Sequence, residues 1–268
     1  MFIDTHCHPY SAKEKNIDII LKNFQNAGGT HLISIGTNIN TSQKSIHLAS
    51  ENNFIYATVG IHPCDVLETK NSLEEDMNLL ENYIINHKDL VVGIGETGLD
   101  YHWVSDDPII LAQQKEKQQK YFSAQLKLAE KYNLPVIIHN RNSADDILKI
   151  LEKSLFQNFI IHCFSEDISF AEKCFKISKN AKMSFSGIVT FKNASAIQQT
   201  AQVIPLKNIL VETDSPYLTP VPFRGKQENE PAFTQLVLEK IIELRKESAQ
   251  EIQEQIYKNS LDIFKIKP

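Results

Sequence analysis

The stretch LVVGIGE (residues 90–96) is an almost unbroken apolar run that ends on a carboxylate. A strand with one wet face alternates polar and apolar residues, whereas a parallel strand covered on both faces reads as a continuous apolar run. Seven comparable runs flank it: FIDTH (2–6), HLISIG (31–36), IYATVGI (55–61), PVIIHN (135–140), FIIHCF (159–164), AKMSFSG (181–187) and ILVETD (209–214). Successive runs begin 22 to 45 residues apart, which leaves room for a helix and two loops each time.

The intervening segments carry helical signals. Residues 13–26 place Ile17, Ile20, Leu21 and Phe24 at helical spacing, and residues 110–132 set Leu111, Tyr121, Leu126, Leu128 and Ala129 among Lys, Gln and Glu. Asn71-Ser72 before Leu73-Glu74-Glu75 reads as an N-cap followed by acidic residues in a first turn. Two more helical stretches, 231–247 and 249–264, follow the eighth run. Eight strands alternating with eight helices predict an α/β fold, a single (β/α)8 TIM barrel spanning residues 1–268 as one domain. An open doubly wound sheet would call for a Gly-rich first turn, and the first turn has no glycine.

Composition narrows the function classes. The 268 residues carry a net charge of −5, with 42% hydrophobic and 23% charged residues. Such a chain does not coat a polyanion, so any nucleic-acid contact is local or carried by metal ions. The N-terminus has no basic n-region with a long apolar h-region, no apolar run approaches the ~20 residues that span a bilayer, and four cysteines show no CxxC spacing. The expectation is a cytoplasmic monomer with no membrane contact and no stable protein partner. Glycine is scarce, nine residues, about half the usual share of roughly 7%. Arginine occurs only at 141, 224 and 245.

Barrel chemistry sits at the C-terminal ends of the strands. There this sequence places His6 and His8, Glu96, His139, His162 and Asp214, with His62 just beyond the third strand. Residues i and i+2 of an extended chain point the same way, so His6 and His8 can both face the barrel axis while Cys7 turns outward. His139 and His162 each close an otherwise apolar run. Four histidines and two carboxylates suit Zn²⁺ or Mn²⁺ better than an all-oxygen cage. Six donors exceed one four-coordinate site, which predicts two divalent ions per chain (Zn, Mn or Mg) with Glu96 as the bridge. Asp214 is expected to ligate one ion and to accept the proton of an attacking water. Arg141, and Arg224 with Lys226, form a candidate phosphate clamp, an ion pair of Arg224 with Glu228 or Glu230 being the structural alternative. His102, in GLDYHW, is a candidate substrate contact.

With these residues assembled, the chain resembles the TatD family of metal-dependent deoxyribonucleases, within the wider amidohydrolase-like barrels. The motifs run nearly its whole length: FIDTHCH, VGIHP, GIGETGLDY, PVIIHNR, IIHCFS, VETDSPYL, RGK with NEP, and the Asn259–Phe264 stretch. The resemblance implies that His6, His8, Glu96, His139, His162 and Asp214 are ligands and that His62 lies near the substrate phosphate. It implies hydrolysis of DNA phosphodiesters, often 3′→5′ from the ends of single strands. The alternative is another ester or amide, such as D-aminoacyl-tRNA. Between RGK and NEP, Gln227-Glu228 makes this loop one residue longer than usual and adds an acid.

Overall fold

Buried on both faces, each apolar run becomes a strand. The computed structural model describes residues 1–268. Its strands are β1 (Phe2–Cys7), β2 (Gly29–Ser34), β3 (Ile55–Val59), β4 (Val91–Asp100), β5 (Val136–Arg141), β6 (Phe159–Ile161), β7 (Lys182–Phe185) and β8 (Ile209–Val211). They pair in sequence order and in parallel, as a (β/α)8 barrel requires.

Ten α-helices, rather than eight, accompany them: α1 (Ile17–Asn26), α2 (Ile39–Glu51), α3 (Pro63–Glu68), α4 (Leu73–Asn86), α5 (Pro108–Tyr132), α6 (Ala144–Ser154), α7 (Ile168–Ile177), α8 (Ser195–Val203), α9 (Thr234–Leu244) and α10 (Ala249–Phe264). The β3–β4 connection and the segment after β8 each hold two. Ser72 caps α4 as its sequence signals: its hydroxyl accepts from the Glu75 amide while the Glu75 carboxylate accepts from the Ser72 amide. Helix α1 starts four residues later than its apolar spacing suggests, because the Asn16 side chain accepts from the Asp18 amide at 2.8 Å and fixes the start there.

Side chains alternate between two apolar regions. Ile3, Ile33, Val92, Ile137, Ile160 and Leu210 turn into the barrel, where Ile263, Phe264 and Ile266 pack against them near the N-terminal ends of the strands. Their neighbours Leu32, Val91, Val136, Ile138, Phe159 and Val211 join the larger core between sheet and helices. Cys7 is fully buried in that outer core, as expected.

Two irregularities matter for the mouth of the barrel. Asp4 pairs with Leu32 but Cys7 with Ser34, so β1 carries an extra residue around His6. Ile94 pairs with Val136 but Thr97 with Ile138, so β4 carries one around Glu96. Bulges of this kind re-aim a side chain without ending the strand. Beyond the second bulge β4 runs four residues past Glu96, because Gly98, Leu99 and Asp100 pair with His139, Asn140 and Arg141. Only glycine fits at 98: φ is +137° and a Cβ would lie 2.1 Å from the His139 carbonyl oxygen.

The β8–β1 seam closes by fewer backbone bonds. The His8 amide donates to the Ser215 carbonyl at 2.7 Å and the Asp214 amide to the His6 carbonyl at 2.9 Å. Deeper in the seam, the buried Asp4 carboxylate accepts from the Thr213 amide at 3.0 Å and the Thr213 hydroxyl at 2.6 Å. Burial pushes the Asp4 carboxyl up to about 7 against the pull of these bonds. Asp4→Ala leaves these two donors and the His6 amide, which donates to the same carboxylate at 3.2 Å, buried without that acceptor and should cost about 2–4 kcal/mol. A urea midpoint equal to that of wild type would show that the seam does not depend on Asp4.

Candidate metal centre

The two bulges and the C-terminal ends of β5 and β8 aim donors at one place. His6 Nε2 lies 3.2 Å from His8 Nε2, 3.5 Å from Glu96 Oε2 and 3.5 Å from Asp214 Oδ1. His8 Nε2 lies 3.8 Å from Glu96 Oε2 and 3.5 Å from Asp214 Oδ1. Four donors around an ion with bonds of about 2.0–2.2 Å sit roughly 3.3–3.6 Å apart at tetrahedral angles. The other Glu96 oxygen faces elsewhere: Oε1 lies 2.8 Å from His139 Nδ1 and 2.8 Å from His162 Nε2, and those two nitrogens are 3.3 Å apart. One carboxylate thus faces two separate donor clusters, and the nitrogens and oxygens of both suit a divalent cation.

Outer partners fix which nitrogen of His8 and of His139 faces inward. His8 Nδ1 lies 3.3 Å from the Ile35 carbonyl and 3.2 Å from the Tyr10 hydroxyl, which itself donates to that carbonyl. His139 Nε2 lies 3.0 Å from Asp100 Oδ2, which leaves Nδ1 for Glu96. His162 Nδ1 lies 3.4 Å from the buried Glu212, whose Oε1 accepts from the Cys163 amide at 2.6 Å. The rings of His6 and His162 stack 4.0 Å apart. Carboxylates and carbonyls behind ligating imidazoles hold the ring and raise its basicity.

His62 differs from the other histidines. It caps α3, and its Nδ1 accepts from the Cys64 amide at 3.2 Å. The neutral ring therefore carries its proton on Nε2, 3.5 Å from Glu96 Oε1, and keeps no free lone pair for a cation. Burial pushes this imidazole down to about 3, so it stays neutral.

The remaining groups divide by charge. Burial alone would raise the Glu96 carboxyl, but the surrounding histidines, His162 foremost, together outweigh it and hold it well below its usual range. Asp214 is likewise lowered against its burial, by the His8 hydrogen bond and the charges of His6 and His162. Burial works to lower His8, His139 and His162, yet the facing carboxylates raise all three: Asp214 for His8, Asp100 and Glu96 for His139, Glu96 and Glu212 for His162. Burial and the charge of His162 lower His6.

Above the donors lies a cleft of about 550 Å³ walled by Tyr10, Asp65, Trp103, Arg141 and Tyr217. A second lobe of about 350 Å³ shares His139, His162 and Asp214 and continues along Asn140, Ser165 and Leu218. The structure thus brings together His6, His8, His62, Glu96, His139, His162, Asp214 and Arg141. His6 and His8 meet through the bulge and a turn starting at Pro9 rather than along one extended strand.

Three predicted contacts fall outside both lobes. His102 is exposed, its ring edge-on to Trp103, and it is Trp103 that lines the cleft. Arg224 is exposed with its guanidinium 3.7 Å over the Phe191 ring, and Lys226 is exposed beside it. Neither acid offered to Arg224 as a partner is free for it. Glu228, the added acid, accepts from the Lys13 and Glu14 amides, and Glu230 pairs with Lys15 at 2.6 Å. Reading sequence alone missed Asp100, Glu212 and Trp103. Asp100 shares the face of Glu96 at an even spacing, a signal hidden by ending the strand at residue 96; Trp103 is the only tryptophan in the chain.

The model of a family described as TatD related DNase matches residues 3–265. An uncharacterised metal-dependent hydrolase of Bacillus subtilis, YabD, is 35% identical over 270 residues, covering 99% of this chain and all of the relative. A second, YcfH of Escherichia coli, is 33% identical over 98% of this chain and 96% of its own. The crystal structure of YJJV, a TatD homolog from Escherichia coli, superposes with a TM-score of 0.88 at 32% identity over 99% of this chain and 98% of that one.

Metal ligation needs neutral imidazoles, whereas the facing carboxylates favour protonated His8, His139 and His162 before a cation arrives. Uptake of Zn²⁺ or Mn²⁺ at neutral pH should therefore expel about one or more protons per chain, and affinity should rise with pH. Calorimetry in two buffers of different ionisation enthalpy measures this; a heat independent of buffer would contradict it.

Proposed function

Since the chain belongs to the TatD family and is a metal-dependent hydrolase, we propose that it cleaves DNA phosphodiesters, 3′→5′ from single-stranded or frayed ends, with two divalent ions. The observation that carries this reading is the divided Glu96 carboxylate, each oxygen turned to its own donor cluster. The free thiols of Cys7, Cys64, Cys163 and Cys174 suit the reducing cytoplasm.

Glu96 would bridge, with His6, His8 and Asp214 completing one site and His139 and His162 the other. A bound pair of ions would polarise the phosphodiester and acidify the attacking water. The chain supplies the rest. Asp214, held ionised and lining the cleft, accepts the proton of that water. His62 Nε2–H donates to a phosphate oxygen, and because the Cys64 amide takes its Nδ1 lone pair it does not compete for the cation. Arg141, on the wall shared by both lobes, balances the charge developing on the phosphoryl group.

The charge of the cleft supports this division of labour. Asp65, Glu96, Asp100 and Asp214 face it against the single fixed cation Arg141. Once ligation has stripped the imidazoles of their protons, bound divalent ions supply the positive charge that a phosphate needs there.

Digestion of single-stranded oligonucleotides with Mg²⁺ or Mn²⁺ tests the reading. EDTA should abolish cleavage, and Glu96→Ala and Asp214→Asn should each lower kcat by a factor of roughly 10²–10⁴. Undiminished activity in both variants would refute it. An aminoacyl-tRNA assay run alongside decides the bond: deacylation without DNA cleavage would move the same centre to an ester substrate.

A further inference from the structure

The only tryptophan of the chain stands on the rim of the metal cleft with 64% of its surface in water. It belongs to neither apolar core. Two neighbours hold the indole. The His102 ring meets it edge-on, centroids 4.6 Å apart at 78°, and the Arg141 guanidinium carbon lies 5.4 Å from its centroid. An aromatic fixed this way yet left bare loses little freedom when a second flat group settles on it. Arg141 and Trp103 line the same cleft as the metal donors, so a group stacked on the ring would share that cleft with the phosphate of the proposed reaction.

We propose that Trp103 is a stacking platform for one unpaired base next to the scissile phosphate of the single-stranded end. This rests on the phosphodiesterase reading and narrows it. Every base has a π-face, so an aromatic platform binds without reading sequence. In a duplex interior both faces of a base are occupied by its neighbours, and stacking on Trp103 needs one face free. The aromatic surface also supplies affinity that this acidic cleft does not gain from a basic groove.

The test uses the Mn²⁺-loaded enzyme and oligothymidylates that are intact or carry one abasic residue at the first, second or third terminal position. Trp103→Leu should raise KM on the intact strand about tenfold, the loss falling on KM rather than kcat, and Trp103→Phe should restore most of it. At one abasic position the wild type should lose a similar factor, and Trp103→Leu should lose nothing more there. Emission of the lone tryptophan should be quenched by the intact strand and less by that abasic one. A wild-type KM in Trp103→Leu, or an equal loss on intact and abasic strands, would overturn the platform. The two readings fail separately: absence of DNA cleavage by the wild type contradicts the phosphodiesterase, whereas cleavage indifferent to Trp103 and to the missing base contradicts the platform alone.

Discussion

Five imidazoles converge on the carboxylate of Glu96, and the rest of the barrel mouth is organised by what that carboxylate requires. Its Oε2 faces His6 and His8; its Oε1 faces His139, His162 and His62. A buried charge so placed is stable only if its partners are held still. The bulge in β4 turns Glu96 inward, and Gly98 lets β4 run close enough to β5 to bring Asp100 behind His139. The bulge in β1 does the same for His6, and the turn after it swings His8 to the same point. Opposing tendencies of burial and surrounding charge then leave ionised carboxylates beside imidazoles that must shed protons to bind a cation.

Much of this was legible in the sequence, for definite reasons. Barrel strands buried on both faces leave long apolar signatures, so a histidine or carboxylate closing such a run stands out, as Glu96, His139, His162 and Asp214 do. Ser72 and Glu75 announced α4 because capping is local chemistry. Register is not local. The bulges at His6 and Glu96 depend on how β2 and β5 pair with their neighbours, and no pattern within β1 or β4 encodes that. The length of β4 is likewise set by its partner, which is why Asp100 escaped notice.

Loops were the least legible. In GLDYHW the histidine drew attention by its chemistry, yet the turn carries Trp103 rather than His102 over the cleft. Arg224 lies near Asp214 in sequence but stacks on Phe191, and the acid added after Gln227 ties its loop to the segment before α1 instead of reaching a substrate. Sequence proximity to a ligand is a poor guide to position when the loop in between has its own anchors. Arg245 has a side chain only 6% exposed, donating to the Ala201 and Ile204 carbonyls and paired with Glu247.

The central claim, that Glu96 bridges two cations, is open to direct observation. Crystals grown with Mn²⁺ or Zn²⁺, measured at the absorption edge of that metal, locate every bound ion by anomalous scattering. The account predicts two peaks about 3.5–4 Å apart, one among His6, His8 and Asp214, the other beside His139 and His162, with Glu96 between them. A single peak, or two that do not share Glu96, would contradict it.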